Sequence, residues 1–313
     1  MAPRLLIKAR VVEAKREADD VRSLRFAPVH RSKFPSYPGG AHTILQLGDG
    51  TRRSYSLCGD PHDTSTYQIA VLREADGRGA SRRLHEEVQV GDLLYLSYPQ
   101  DTFGLDPDAR RHVLVAGGIG ITPLVSMLDG LPARSTAELH YCVRSRSRAA
   151  FLERLAALPV DVHLYVADEG RRLDMAALVG GTTPGTSLYC CGPGRLIAAL
   201  RASTTAWPPG TVHVETFTGL SGELARQGEP FEVDLTLTQR RLEVPAHQTL
   251  LDVLREAGVP VDASCEGGIC RTCVVDVVEG EAIHRDRCLS EQERQNALTV
   301  CVSRGRGLLR LLL

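Results

Sequence analysis

The chain has 313 residues, with 37 Lys and Arg against 38 Asp and Glu, for a formal net charge of −1 at pH 7. That length predicts two or three domains, the near-neutral charge argues against a nucleic-acid partner, and no apolar stretch approaches the length of a membrane span. Nine cysteines without a secretory leader or a regular framework argue against structural disulfides and for a reducing cytoplasm.

Residues 1–105 read as all-β. Alternation is clear in Val21–Phe26 and Thr43–Leu47, with further strands at Tyr67–Leu72 and Leu93–Ser97. Pro38-Gly39-Gly40, Gly48-Asp49-Gly50, Asp76-Gly77 and Gly91-Asp92 supply the turns. Short strands with frequent turns predict an antiparallel β-barrel. Within it, Arg53-Ser54-Tyr55-Ser56-Leu57 matches RxYS(L), the flavin motif of ferredoxin-NADP reductase-like barrels. Tyr55 can cover a flat ring system, Arg53 offers a fixed cationic fork to a phosphate, and Ser56 with its backbone can hydrogen-bond the ring edge. Gly77-Arg78-Gly79-Ala80-Ser81 opens a short helix whose N–H groups, with a hydroxyl from Ser81, suit an anion. A serine- and arginine-rich strand and a plain glycine turn are the competing structural readings.

Residues 106–220 change pattern. Strands at Arg111–Ala116, Glu138–Val143, Val162–Val166 and Ser187–Cys190 alternate with helical stretches, among them Ala149–Ala157. This predicts a parallel α/β sheet. Gly117-Gly118-Ile119-Gly120-Ile121-Thr122-Pro123 follows the first strand, where glycines let a pyrophosphate approach a helix N-terminus. Cys190-Cys191-Gly192-Pro193-Gly194 and His213-Val214-Glu215-Thr216-Phe217 follow later strands. Each alone is also a tight strand–turn–helix junction. Arg144-Ser145-Arg146-Ser147-Arg148 sits where an adenosine ribose would lie, and reads either as a 2′-phosphate contact or as a solvated loop.

Residues 219–230, GLSGELARQGEP, read as a linker. A hairpin at Phe231–Leu237 and Arg241–Val244 follows, then a helix from Thr249. The run CEGGICRTC then places Cys265, Cys270 and Cys273 at C-x4-C-x2-C spacing, with Cys301 far downstream. That is the spacing of a plant-type 2Fe-2S ferredoxin. Gly267 and Gly268 let the loop curl and bring N–H groups to the sulfurs. Zinc sites favour paired CxxC motifs, and only one CxxC is present. Cys288 reads as an ordinary thiol.

Taken together these motifs resemble the phthalate dioxygenase reductase family, which includes the vanillate O-demethylase reductases, over essentially the whole chain. The resemblance implies a flavin-binding β-barrel at 1–105 and an α/β pyridine-nucleotide domain at 106–220. A linker at 221–230 and an α+β, β-grasp 2Fe-2S ferredoxin domain at 231–313 complete the chain. It implies FMN rather than FAD, since the ferredoxin is C-terminal, and NADH, with NADPH kept open by Arg144. Cofactor contacts carry over to Arg53, Tyr55, Ser56, Leu57, Gly79, Ala80, Ser81, Gly117, Gly118, Gly120, Thr122, Pro123, Arg144, Gly192 and Pro193. Thr122, Cys191, Glu215 and Phe217 are expected to align the reacting rings. Cys265, Cys270, Cys273 and Cys301 are the expected iron ligands. Electrons would pass singly from flavin to cluster to the oxygenase component of a two-component system, in a transient contact made by a cytoplasmic monomer. The expected dock is the loop face from Glu266 to Arg271. A cytochrome P450 or small acceptor, and a redox sensor without turnover, are the alternatives. Two positions depart from the family pattern. Arg271 replaces the Gly of CGTC, either tuning the cluster or facing the partner, and Ala80 replaces a Gly of the phosphate loop.

Overall fold

The computed structural model describes residues 6–75, 79–181, 185–217, 219–220 and 222–313. Alternation in the first segment builds β1 (Leu6–Ala18), whose Ile7, Ala9 and Val11 point inward. It pairs with β2 (Val21–Pro28) through a tight turn at Asp19-Asp20. With β3 (His42–Gln46), β4 (Arg52–Ser56), β5 (Tyr67–Leu72) and β6 (Leu93–Ser97) it forms an antiparallel sheet of order β4-β3-β6-β1-β2-β5. The two edges meet: Leu57, just past β4, bridges Ile69 of β5, and the Cys58 N–H donates to the Gln68 carbonyl at 2.8 Å. The sheet thereby closes into a barrel, which removes its free edges. Leu24, Phe26, Leu45, Leu57, Tyr67, Ile69 and Leu96 fill the interior, and α1 (Ala80–Glu86) plugs one side with Leu84.

The second sheet is wholly parallel, with order β11-β10-β7-β8-β9. Its strands are β7 (Arg111–Gly117), β8 (Thr136–Val143), β9 (Asp161–Val166), β10 (Thr186–Cys191) and β11 (Val212–Glu215). The uninterrupted apolar run of β7 follows from burial on both faces. Leu114 and Ala116 pack with α2 (Ile121–Asp129), while Val113 and Val115 pack with α4 (Met175–Gly180) and α5 (Gly194–Ser203). The α2 face shares one core with Val21, Cys58, Ala70 and Phe103 of the barrel. Barrel and parallel sheet accordingly form a single compact unit, Met1–Phe217. The helix expected at 149–157 is shorter, α3 (Leu152–Ala156), because buried Phe151 takes φ 64 and breaks the turn before it.

The second unit, Thr218–Leu313, is a mixed sheet of order β13-β12-β16-β14-β15. It comprises β12 (Phe231–Leu235), β13 (Arg240–Val244), β14 (Val274–Ile283), β15 (Ala297–Thr299) and β16 (Arg304–Leu311). β12 runs parallel to β16 and antiparallel to β13. Helix α7 (Leu250–Glu256) buries Leu250, Leu251, Val253 and Leu254 in this unit's core. The predicted start at Thr249 is its N-cap, in a capping box with Asp252. The predicted linker is corrected in part. Residues 222–226 form α6 (Gly222–Arg226), with Ala225 buried in the second unit's core and Arg226 paired to Asp252 at 3.1 Å. Leu220 packs on the same core, and Arg285 donates to the Leu224 and Gln227 carbonyls, so the segment is docked at several points. Among the described residues no helix is long and apolar enough to cross a membrane.

Candidate functional site

In the first unit, the C-terminal ends of three adjacent strands share one rim. Cys191 of β10 pairs with Ala116 of β7 on one side and with Glu215 of β11 on the other. Ligands of open α/β sheets gather at this end. The glycines there are set by close backbone approach. A Cβ on Gly120 would strike the Cys191 carbonyl, one on Gly117 would lie 2.6 Å from Pro193 Cδ, and one on Gly192 3.0 Å from Gly117 Cα. Gly118 is different: it takes φ 56 and faces open space, a cradle at the head of the turn into α2. Thr122 is buried and donates its hydroxyl to the Ile119 carbonyl at 3.0 Å, and Pro123 is buried beside it. Thr122 thus braces the glycine turn.

Cys191 Sγ lies 3.8 Å from Glu215 Oε2. Burial pushes the Glu215 carboxyl up to about 8 and holds the Cys191 thiol well above its ordinary range. Both shifts favour the uncharged form of the pair. Phe217, 40% exposed, follows at the strand end. Arg144, just past β8, is exposed and carries no ion pair among the described residues, whereas Arg146 grips Glu169 with two bonds of 3.0 Å and Arg148 pairs with Asp20 at 2.6 Å. The arginine loop is thus only partly available to an anion.

On the barrel, β4 lies antiparallel to β3 with Tyr55 opposite Thr43. Ser56 is buried, and its Oγ has no hydrogen-bond partner among the described residues. An orphaned buried hydroxyl fits the polar edge of a bound ring system. Burial raises the Tyr55 phenol, and the neighbouring Arg53 charge opposes that rise. Leu57 instead sits fully inside the barrel, where its N–H serves the Ala41 carbonyl. Gly79 (φ 88) precedes α1, Ala80 turns its methyl inward, and Ser81 Oγ accepts from the Glu74 N–H at 3.2 Å. Gly77 and Arg78 lie outside the described residues.

In the second unit, one loop brings Cys265, Cys270 and Cys273 together, and Cys301 arrives just after β15; all are free thiols. They fall into two pairs. Cys265 and Cys270 hydrogen-bond through their thiols, which raises the first and lowers the second, and Cys301 is raised by its bond with Cys273. Each of these thiol hydrogen bonds is made within a pair. A single tetrahedral zinc needs all its sulfurs about 3.8 Å apart. Two pairs fit a two-iron core instead. Gly267 N–H reaches Cys265 Sγ at 3.4 Å and Cys265 N–H reaches Cys270 Sγ at 3.5 Å, while the Gly268 N–H acts on Cys301. Such donors stabilise thiolates and a reduced cluster. Gly268 takes the expected left-handed turn (φ 72), but Gly267 does not. It is glycine because its backbone passes Gly219, 2.9 Å from where a Cβ would stand.

Residues 233–305 match the 2Fe-2S iron-sulfur cluster binding domain family. Over 306 residues, 96% of this chain and 97% of the relative, the chain is 40% identical to the heme-dependent oxidative N-demethylase beta subunit of Ectopseudomonas mendocina (strain ymp). It is 35% identical to phthalate dioxygenase reductase, whose solved structure superposes with a TM-score of 0.75 over 98% of both chains. The chain belongs to the phthalate dioxygenase reductase family. A type IV self-sufficient cytochrome P450 monooxygenase contains a similar module, at 39% identity and TM-score 0.88; it spans 98% of this chain and 41% of that one. Members of the family are oxidoreductases named as reductase subunits of oxygenase systems.

Against the family pattern, Arg271 is held by neighbours that the sequence motif did not point to. Its φ is 59, a conformation that favours glycine. Its guanidinium pairs with Glu293 and donates to the Cys288 carbonyl at 2.5 Å. Glu293 is lowered to about 2 by Arg271 and by the Ser290 N–H and hydroxyl. Three residues near the cysteines escaped sequence reasoning. Thr272 sets its hydroxyl 3.1 Å from Cys270 Sγ; buried Asp286 accepts from the Leu289 N–H at 3.0 Å and pairs with Arg294; and Glu293 partners Arg271. Thr272 stands inside the cysteine motif and was legible there, whereas Asp286 and Glu293 reach the site only through tertiary folding.

Proposed function

We propose that this reductase takes electrons from NADH through FMN and a 2Fe-2S cluster and delivers them singly to a partner oxygenase. The two-by-two arrangement of the cysteine sulfurs carries the reading. When bound, a flavin would accept an electron pair as one hydride and release the electrons one at a time, which is what a one-electron cluster requires. The protein's own task is then alignment and electrostatics. Arg53 holds a phosphate, and Ser56 offers its unpartnered hydroxyl to the ring edge. Gly118 leaves room for a pyrophosphate, and Gly117, Gly120, Gly192 and Pro193 fix that rim in place. Uncharged Cys191 and Glu215, with Thr122 and Phe217, position the nicotinamide without adding a charge that would bias hydride departure. Cys265, Cys270, Cys273 and Cys301 hold the irons, and Arg144 supplies a cation at the adenosine end.

The functional division proposed for the chain is flavin 1–105, nucleotide 106–220 and ferredoxin 231–313. Its setting is a cytoplasmic monomer that meets its partner transiently, since electron-transfer encounters bury little area. A haem partner is a second reading, favoured by the N-demethylase subunit and the P450 module among the similar proteins. Anaerobic titration with NADH, then NADPH, tests the scheme. Flavin and iron-sulfur absorbance should bleach together, and the released flavin should be FMN. Bleaching of flavin with no iron-sulfur band would overturn the cysteine assignment. Reduction rates of a Rieske oxygenase and of a haem oxygenase, measured side by side, then decide the partner class.

A further inference from the structure

A cluster of ligating side chains lies away from the nucleotide rim. Glu138 and His140 are two apart on β8 and so share one face of the sheet, and His163 of β9 pairs directly with His140. Their ligand atoms all lie within 4.8 Å of one another. His140 Nε2 stands 3.7 Å from Glu138 Oε1. Two ligands on one zinc-class ion stand about 3.3 Å apart, so closure draws the ligand atoms in by up to about 1.5 Å and turns the exposed His163 ring out of its stack on His140.

The second observation is the state of His140. It is only 6% exposed, and its Nε2 has no hydrogen-bond partner among the described residues. Its Nδ1 lies 3.0 Å from the Tyr165 hydroxyl. With Nδ1–H donating to Tyr165, Nε2 turns its lone pair toward Glu138 and His163. This is how an outer hydrogen bond fixes the tautomer of a metal-binding imidazole. The His163 ring stacks on His140 at 4.8 Å and leads out to solvent, which gives an ion a path in. One group opposes occupancy: Arg111 donates to Glu138 Oε1 at 3.0 Å.

We propose that Glu138, His140 and His163 bind a divalent transition-metal ion of the zinc class, with Tyr165 as the positioning residue for His140. The ion ties edge strand β9 to β8, and its remaining coordination position faces solvent. The site is independent of the electron-transfer reading.

Equilibrium dialysis of the purified full-length protein against zinc, with zinc and iron counted by elemental analysis, tests it. One zinc per chain is expected, with the iron content unchanged. His163→Ala should abolish that uptake; the residue is exposed, so the fold tolerates its loss. Tyr165→Phe should weaken the affinity about 10–100-fold, and Arg111→Gln should strengthen it. No zinc uptake, equal uptake by wild type and His163→Ala, or uptake only as iron is lost would each overturn the proposal.

Discussion

At the scale of single residues, Arg271 shows how a departure from a family motif can be compensated nearby. Its left-handed backbone costs about 1–2 kcal/mol. The pair with Glu293, whose side chains are 31% and 39% exposed, returns at most about 1 kcal/mol. Arg271→Gly should therefore leave stability within about 1 kcal/mol of wild type by denaturant titration. It should, however, leave the Glu293 carboxylate unneutralised beside the cysteines. The midpoint potential of the iron-sulfur centre should then fall, and adding Glu293→Gln should bring it back. Equal potentials in the single and double variants would show that the pair has no electrostatic reach. Glu215 gives a second prediction. Its folded-state carboxyl is raised from 4.5 to about 8 by burial, so the native state holds the proton more tightly than the unfolded chain. The stability this contributes is complete below about 4.5 and is lost as pH rises through about 8. Glu215→Gln, which cannot ionise, should remove that slope from a melting-temperature series between pH 5 and 9.

At the scale of elements, the sequence carried the strands well because both faces of β7 and one face of β1 and β2 must be apolar, and that requirement is written directly into residue order. Tyr67–Leu72 and Leu93–Ser97 have the same limits in the structure as in the pattern. What pattern could not carry was tertiary. Ala225 docks a helix inside a run read as a linker, Phe151 stops a helix early, and Leu57 closes the barrel within a motif read for a cofactor. The glycine motifs were legible as a rim but not in their division of labour, since only packing separates Gly120, pressed on Cys191, from Gly118, facing open space. Gly120→Ala should therefore cost about 1–3 kcal/mol through overpacking against backbone, read as a lowered melting temperature of the first unit. At α7, Thr249→Ala removes the hydroxyl half of the capping box, leaving the Asp252 carboxylate on the N–H of residue 249, and should cost about 1 kcal/mol, seen in the second unit's unfolding.

At the scale of the whole molecule, the chain resolves into two compact units, one carrying the glycine rim and the barrel strand, the other the four cysteines. Each has its own buried core, so loss of a ligand in one should spare the fold of the other. This makes the two halves of the proposed electron path separable by one substitution. Cys301 arrives from outside the cysteine loop, and its only sulfur partner of the same pair is Cys273, so Cys301→Ser removes one ligand of one iron without touching the loop's hydrogen bonds at Cys265 and Cys270. The variant should lose the iron-sulfur signal and the reduction of cytochrome c, an obligate one-electron acceptor. It should keep NADH oxidation with ferricyanide, which can draw directly on a flavin, at close to the wild-type rate. Loss of both activities would mean that the first unit depends on the second for its fold or its chemistry. Retention of cytochrome c reduction would mean that electrons leave from the flavin and the cysteine unit is not on the path.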